Sequence, residues 1–313
     1  MQTKFAALGS PLFLLSILFA ASPALAQKGE SVPTVPITTV VTVLGPKYTP
    51  PPAVGKDELA VYEGKEKKEI TSWIPAQGDK AALELAILID DSTSTELGIQ
   101  FSDLTNFIKS QPSSTGIAIF YASNGTVQAA SQFSTDHDAV AKSIRMPFGR
   151  GAAYSSIYLS LMDLFKRWPV TGARREILLI ADGIDRFRGD PFSPDVTSTI
   201  DRAQQAGIMI HSLFASGVGR FSRNFYRVNL GQSNLAQLTD ATGGESFFQG
   251  TATPISFAPF LAQLDIVLKN QYRLTFTTAR SKKGKGELKS FRIRSELRNV
   301  EFSAAEKVLV PGP

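Results

Sequence analysis

Hydrophobic positions along the chain follow two rhythms, and the changes between them divide it. Residues 83–89 form an apolar run of the kind a strand shows when both faces of its sheet are covered. Leu97, Phe101, Leu104 and Ile108 follow at helical spacing. The alternation then repeats. Strands are predicted at 116–121, 127–133, 176–181 and 208–214, with a short last one at 245–248. Helices are predicted from Ile157, Leu161, Leu164 and Phe165, from Val196, Ile200 and Ala203, and over 235–242, where Gly243-Gly244 ends the turn. Phe257, Phe260, Leu261, Leu264 and Leu268 lie on one face of a closing helix. Strands alternating with helices predict an α/β fold, a doubly wound sheet with helices on both sides.

On either side of this region the period drops to two. Residues 37–44 are a β-branched run, and 59–62 meet a Glu63-Gly64-Lys65 turn before 68–73. Beyond it, Tyr272, Leu274 and Phe276, then Phe291 and Ile293, alternate around an SKKGK turn, with further short strands at 300–302 and 308–310. Each flank is an incomplete β unit. The economical prediction is that the two pair into one small β-sandwich, with the α/β domain inserted in it. The predicted organisation is a signal segment at 1–26, an N-terminal β segment at 27–76, the α/β domain at 77–270, and a C-terminal β segment at 271–313.

The first segment reads as a removable address. A lysine near the start, an apolar run over 12–21 and the small-x-small Ala24-Leu25-Ala26 make up the layout of a secretory signal, with cleavage expected after Ala26. The apolar run is too short to span a bilayer, which needs about 20 residues. The expected location is therefore the periplasm or the cell exterior. The 313 residues contain no cysteine, which excludes disulfides, thiolate metal sites and a cysteine nucleophile. At 43% hydrophobic the chain can build its own core. A formal charge of +5 over this length is a weak argument for nucleic acid or membrane binding.

The candidate chemistry sits where the first buried strand ends. In an extended chain Asp90, Ser92 and Ser94 point the same way, so one carboxylate and two hydroxyls can converge at the carboxyl edge of the sheet. Asp182, after the second strong strand, would add another carboxylate. These are hard oxygen ligands suited to Mg²⁺ or Mn²⁺. A simpler use of the same turn is helix capping, through Thr93-x-x-Glu96 or through Asp91 or Ser92. His211, inside an apolar strand, reads as structural, and His137 has no evident partner. The basic group Arg280, Lys282, Lys283, Lys285 and Lys289 reads as a solvated hairpin end. No G-x-S-x-G occurs.

LAILIDDSTS (85–94), EILLIADGID (176–185) and LAQLTDATGGESFF (235–248) together resemble the first strand, the central Asp-Gly strand end and the last helix–strand unit of von Willebrand factor A domains. The flanking ELAVYEGKEKKEITSW and NQYRLTFTTA resemble the extra β segments of a secreted bacterial subgroup of that family, abundant in acidobacteria. The resemblance implies a metal-ion-dependent adhesion site, with Asp90, Ser92, Ser94 and Asp182 as metal ligands. A partner protein's Asp or Glu carboxylate would take the ion's open position. One departure stands out: Gly151 occupies the position where the family usually has a threonine ligand, with Arg150 beside it. Ser155 and Ser156 read as caps of the next helix. The implied function is a secreted, non-enzymatic protein-interaction or adhesion module. The alternatives are an envelope structural protein with a degenerate, metal-free site binding through loops such as 187–194, and a metal-dependent hydrolase built on Asp90 and Asp182.

Overall fold

A computed structural model of the chain describes residues 33–313, apart from 150–154, 170, 188–194, 220–221, 249 and the side chain of Asp79. The expected signal segment with its cleavage point, the Arg150-Gly151 position, and all of the 187–194 loop except Phe187 lie outside the described residues.

The apolar runs become a five-stranded sheet in the order β7-β6-β5-β8-β9. Its central strand β5 (Leu83–Asp90) lies parallel to β6 (Thr115–Ser123) on one side and to β8 (Arg174–Ala181) on the other. Parallel β9 (Ile208–Phe214) and antiparallel β7 (Thr126–Ala129) form the edges. Because side chains alternate across a strand, Leu85, Ile87 and Ile89 face one layer while Ala86 and Leu88 face the other. The first layer holds α1 (Phe101–Ser110), α2 (His137–Lys142) and α6 (Ala258–Lys269). The second holds α3 (Ile157–Arg167), α4 (Asp195–Ala206) and α5 (Phe225–Thr242). This is the expected doubly wound α/β fold.

The flanks pair as the alternation predicts. From the N-terminal side come β1 (Thr34–Leu44), β2 (Leu59–Glu63), β3 (Glu66–Lys68) and β4 (Ile70–Pro75). From the C-terminal side come β10 (Gln271–Ala279), β11 (Glu287–Ser295), β12 (Glu301–Ala304) and β13 (Lys307–Val310). They interleave in two four-stranded sheets, β12-β1-β10-β4 and β13-β11-β2-β3. Thr34 to Thr42 runs antiparallel to Ala279 down to Gln271, and Val61 pairs with Ile293. Val41, Val61, Leu274, Phe276, Phe291 and Val310 fill the space between the sheets. Trp73 stacks on Tyr272 at 4.3 Å between ring centroids and donates from Nε1 to the Val54 carbonyl at 2.9 Å.

Three predicted boundaries shift. The helix expected at 235–242 begins ten residues earlier, at Phe225, where the Asn224 side chain accepts from the Arg227 N–H and caps it. The strand expected at 127–133 ends at Ala129, its continuation surviving as the bridge between Ile117 and Ser134. The strand expected at 245–248 is a single parallel bridge between Ser212 and Ser246.

Candidate functional site

β5 and β8 are neighbours in register, with Ile89 opposite Ile180, so Asp90 and Asp182 leave the sheet side by side at its carboxyl edge. This is also where the strand order turns back, the usual ligand position in open α/β sheets. Both carboxylates are buried. Asp90 Oδ1 accepts from the Ser92 N–H at 2.9 Å and from the Ser155 hydroxyl at 3.1 Å. The segment after Asp90 is held extended by the loop that follows β9. Thr93 bridges to Gly217, Ser94 N donates to the Ser216 carbonyl at 2.9 Å, and Val218 N donates to the Ser92 carbonyl at 3.0 Å.

Of the expected ligand set, Asp90, Ser92 and Asp182 come together. Ser92 Oγ is buried beside Asp90 and, among the described residues, completes no hydrogen bond of good geometry. Ser94 does not join them. Its hydroxyl accepts from the Glu96 N–H at 3.3 Å, which makes it the N-cap of the turn entering α1. The turn is thus used for capping, but through Ser94 rather than through Thr93, Asp91 or Ser92 as the capping alternative has it. Asp91 faces elsewhere: Arg145 donates to both its oxygens, at 2.7 and 2.8 Å, and lies over the Tyr121 and Phe148 rings. Ser156 caps α3 as expected by accepting from Leu159 N, whereas Ser155, read as a cap, turns its hydroxyl to Asp90 instead.

The sequence reading missed the residue that dominates the site's electrostatics. Arg186 is buried, four residues after Asp182, and grips both Asp182 oxygens: Nη1 donates to Oδ1 at 3.0 Å and Nη2 to Oδ2. Nη2 also donates to the Ser222 hydroxyl at 2.8 Å, and Nη1 stands 4.0 Å from Asp90 Oδ2. Ser222 and the Ile184 N–H complete the shell of Asp182. The signal was the D-x-x-x-R spacing in DGIDR, which allows a carboxylate and a guanidinium to meet across one tight turn.

Two glycines permit the approach. A Cβ on Gly217 would fall within 2.4 Å of Asp182 and Arg186 side-chain atoms. Gly231 of α5 lets the helix pack on the Asp182-Gly183 peptide, where a Cβ would meet the Asp182 carbonyl oxygen at 2.4 Å. Tyr158 donates to the Gly183 carbonyl at 2.7 Å from below. Burial pushes the Asp90 carboxyl above the usual carboxylate range and the Asp182 charge adds to this; Arg186 and the Ser92 contacts oppose it without reversing it. Burial works against the Arg186 charge, yet Asp182 and Asp90 hold it firmly protonated.

As arranged, these residues do not fit a divalent ion. Both oxygens of Asp182 are taken by a guanidinium, Ser94 is engaged as a cap, and one of the two carboxylate charges is already offset. Among the described residues no three His, Cys, Asp or Glu side chains form a metal-holding group, so hydroxyls would have to complete any ligand set.

The two histidines are accounted for elsewhere. His211 Nε2 lies 2.9 Å from Glu176 Oε2 and its Nδ1 accepts from the Glu245 N–H, the structural role expected. His137 Nε2 lies 2.8 Å from the Thr115 carbonyl. In the basic group, Lys283 pairs with Glu287, Lys289 with Glu63, and Arg280 donates to the Gly312 carbonyl.

No family description and no curated protein matches the chain. Among solved structures, it is similar to an aerotolerance-related membrane protein from Bacteroides fragilis, with 13% identity and a TM-score of 0.42 over 60% of this chain and 98% of that one. It is also similar to a von Willebrand factor type A protein from Catenulispora acidiphila, with 10% identity and a TM-score of 0.42 over 72% of this chain and 66% of that one. A conserved hypothetical protein, BatB, from Bacteroides thetaiotaomicron gives 14% identity and a TM-score of 0.39 over 60% of this chain and 97% of that one. At these identities and scores the likeness is one of outline, and the functional reading rests on the residues of this chain.

Proposed function

We propose that the protein is an exported, non-enzymatic protein-interaction module of the A-domain type, which engages its partner with the carboxyl edge of its central sheet. One observation carries this reading. Ile99, Met146, Phe148, Phe187, Phe225, Tyr226 and Ile255 are exposed, and all lie on loops or a helix start at that edge; among the described residues Ile74 is the one other large hydrophobic left exposed. The loops are tied to one another. Met146 sulfur lies over Gly98, next to Ile99, and Gln100 Nε2 donates to the Pro254 and Ile255 carbonyls at 3.1 Å each. Scattered apolar side chains on a surface need no explanation, but their gathering on one edge does. They stand on the loops around the Asp90–Asp182–Arg186 centre, so the edge combines an apolar rim with a charged middle in which Arg186 offsets one of the two carboxylates. No helix among the described residues is long and apolar enough to cross a membrane.

Gripping a partner's carboxylate through Mg²⁺ or Mn²⁺ is the narrower form of this proposal, and the Arg186 contacts weigh against it. A hydrolase has less support, since among the described residues no nucleophile–base pair accompanies the two aspartates. The test is site-specific photo-crosslinking in the host cell, with the crosslinker at Phe148, Ile255 or Ile74. Discrete adducts at Phe148 and Ile255 and none at Ile74 are expected. Adducts absent from the edge positions, or equal at Ile74, would remove the basis for the reading.

A further inference from the structure

We infer that Arg186 is the resident cation of the Asp90–Asp182 site and that its guanidinium and a divalent ion exclude one another there. The inference deepens the interaction reading above by naming what holds the centre of that surface. Three observations carry it.

The first is position. The two buried carboxylates of adjacent strand ends need a cation between them, and Arg186 supplies one: its Nη2 and Nη1 grip Asp182, and Nη1 reaches to 4.0 Å from Asp90 Oδ2. The second is how firmly the arginine is seated. Its side chain is 3% exposed, its N–H donates to the Ser155 carbonyl at 2.9 Å, and Ser222 accepts from its Nη2. Gly217 leaves the space in which the guanidinium lies.

The third is the leftover hydroxyl. Ser92 Oγ is buried beside Asp90, near enough to favour its charged form, yet among the described residues it completes no hydrogen bond of good geometry, although buried polar atoms nearly always do. Asp90, Ser92, Ser155 and Asp182 are thus of the right chemistry for a hard cation such as Mg²⁺ or Mn²⁺, while the position such an ion needs is filled by side-chain nitrogens. Adding a divalent charge beside a buried guanidinium would set like charges a few ångströms apart in a poorly screened place. The ion can therefore enter only if Arg186 leaves.

The probe is Mn²⁺ alone, followed by the electron paramagnetic resonance of the free ion, with Mg²⁺ titration calorimetry alongside, on the whole chain. Wild type and Arg186→Lys are expected to show no saturable binding at sub-millimolar metal. Arg186→Met should gain a single site, at least about tenfold tighter than wild type, which Asp182→Asn in the Arg186→Met background should abolish. Equal affinity in wild type and Arg186→Met, whether both tight or both silent, would overturn the inference. Should Arg186→Met fail to fold, Arg186→Gln takes its place in the same comparison with wild type, and the same two outcomes uphold or overturn the inference. Crosslinking from Phe148 and Ile255 reports on the interaction surface whether or not metal enters, so failure of one proposal is distinguishable from failure of the other.

Discussion

Glu176→Gln tests how the α/β layer and the sandwich hold together. Glu176 is wholly buried near the amino end of β8 and accepts from three side chains: His211 Nε2 at 2.9 Å, Gln271 Nε2 at 3.1 Å and Arg174 Nη1 at 3.4 Å. Gln271 opens β10 and also reaches Thr42 of β1, so this cluster joins two strands of the central sheet to two of the sandwich. A glutamine at 176 turns one acceptor into a donor facing His211 or Gln271, and it leaves the buried Arg174 charge unbalanced. Breaking one partner out of a buried ion pair costs about 3–5 kcal/mol. Arg174 keeps the Ala81 and Leu268 carbonyls, which points to the lower end. About 3 kcal/mol corresponds to a fall in Tm of about 6–12 °C for a domain of this size.

Calorimetry from neutral to acid pH reads both the size and the sign. Burial opposes ionisation of Glu176, but His211, Arg174 and Gln271 together hold its carboxyl below the ordinary 4.5. A depressed carboxylate gives stability that is complete above the unfolded value and is lost as pH falls through the folded one. The gap between wild type and variant should be constant above pH 4.5 and close on further acidification. A neutral-pH gap under about 2 °C, or one that widens in acid, would refute the assignment of Glu176 as an ionised junction residue.

Three other outcomes are expected. In Asp90→Asn the sign is opposite. A folded-state pKa raised by burial makes the wild-type contribution complete below 3.8 and lost as pH rises, so the variant's Tm should gain on wild type between acid and neutral pH; a parallel pair of Tm–pH curves would contradict this. Gly231→Ala places a methyl 2.4 Å from the Asp182 carbonyl oxygen, so α5 must withdraw at a cost of about 1–3 kcal/mol in a denaturant titration; an unchanged midpoint would show the contact to be soft. Exported material should begin at Gln27 by N-terminal sequencing, and finding Met1 intact outside the cytoplasm would contradict cleavage after Ala26.

Elements whose burial is uniform were the legible ones. β5 and β8 are covered on both faces and read as unbroken apolar runs, β10 is half-covered and alternates, and β1 alternates only before its fully buried Val41–Leu44 end. The start of α5 was hidden because its first turns carry Asn229, Gly231 and Gln232. Gly231 lowers helix propensity, but it is there because a backbone passes against it. The site divided in the same way. Asp90 and Asp182 follow from strand ends, which a sequence marks clearly. Where Ser94, Ser155 and Arg186 point depends on loops set by tertiary contact. Ser94 is drawn away by the cap and by the bridge to Ser216–Val218, Ser155 reaches Asp90 across the sheet edge, and Arg186 folds back over one tight turn. Spacing records none of these directions.

The central sheet carries a buried arginine–carboxylate cluster at each end, and what covers each cluster separates their roles. At the amino end Arg174 and Glu176 are roofed by Gln271 and Thr42, and every partner belongs to a strand, to the turn leading into one, or to the last turn of α6. Such a closed cluster can specify how two layers meet, but it offers nothing to a visitor. At the carboxyl end Arg186, Asp90 and Asp182 are roofed by loops, and those loops carry the exposed apolar side chains. The ionic bond is of the same kind at both ends, between a guanidinium and a buried carboxylate. At the carboxyl end the covering loops lie outside the sheet's hydrogen-bond ladder, so displacing them breaks none of that ladder's bonds. A partner that displaces Phe187, the residue after Arg186, would therefore act on the Arg186–Asp182 pair, whereas one that lifts Phe148 would act on the neighbouring Arg145–Asp91 pair.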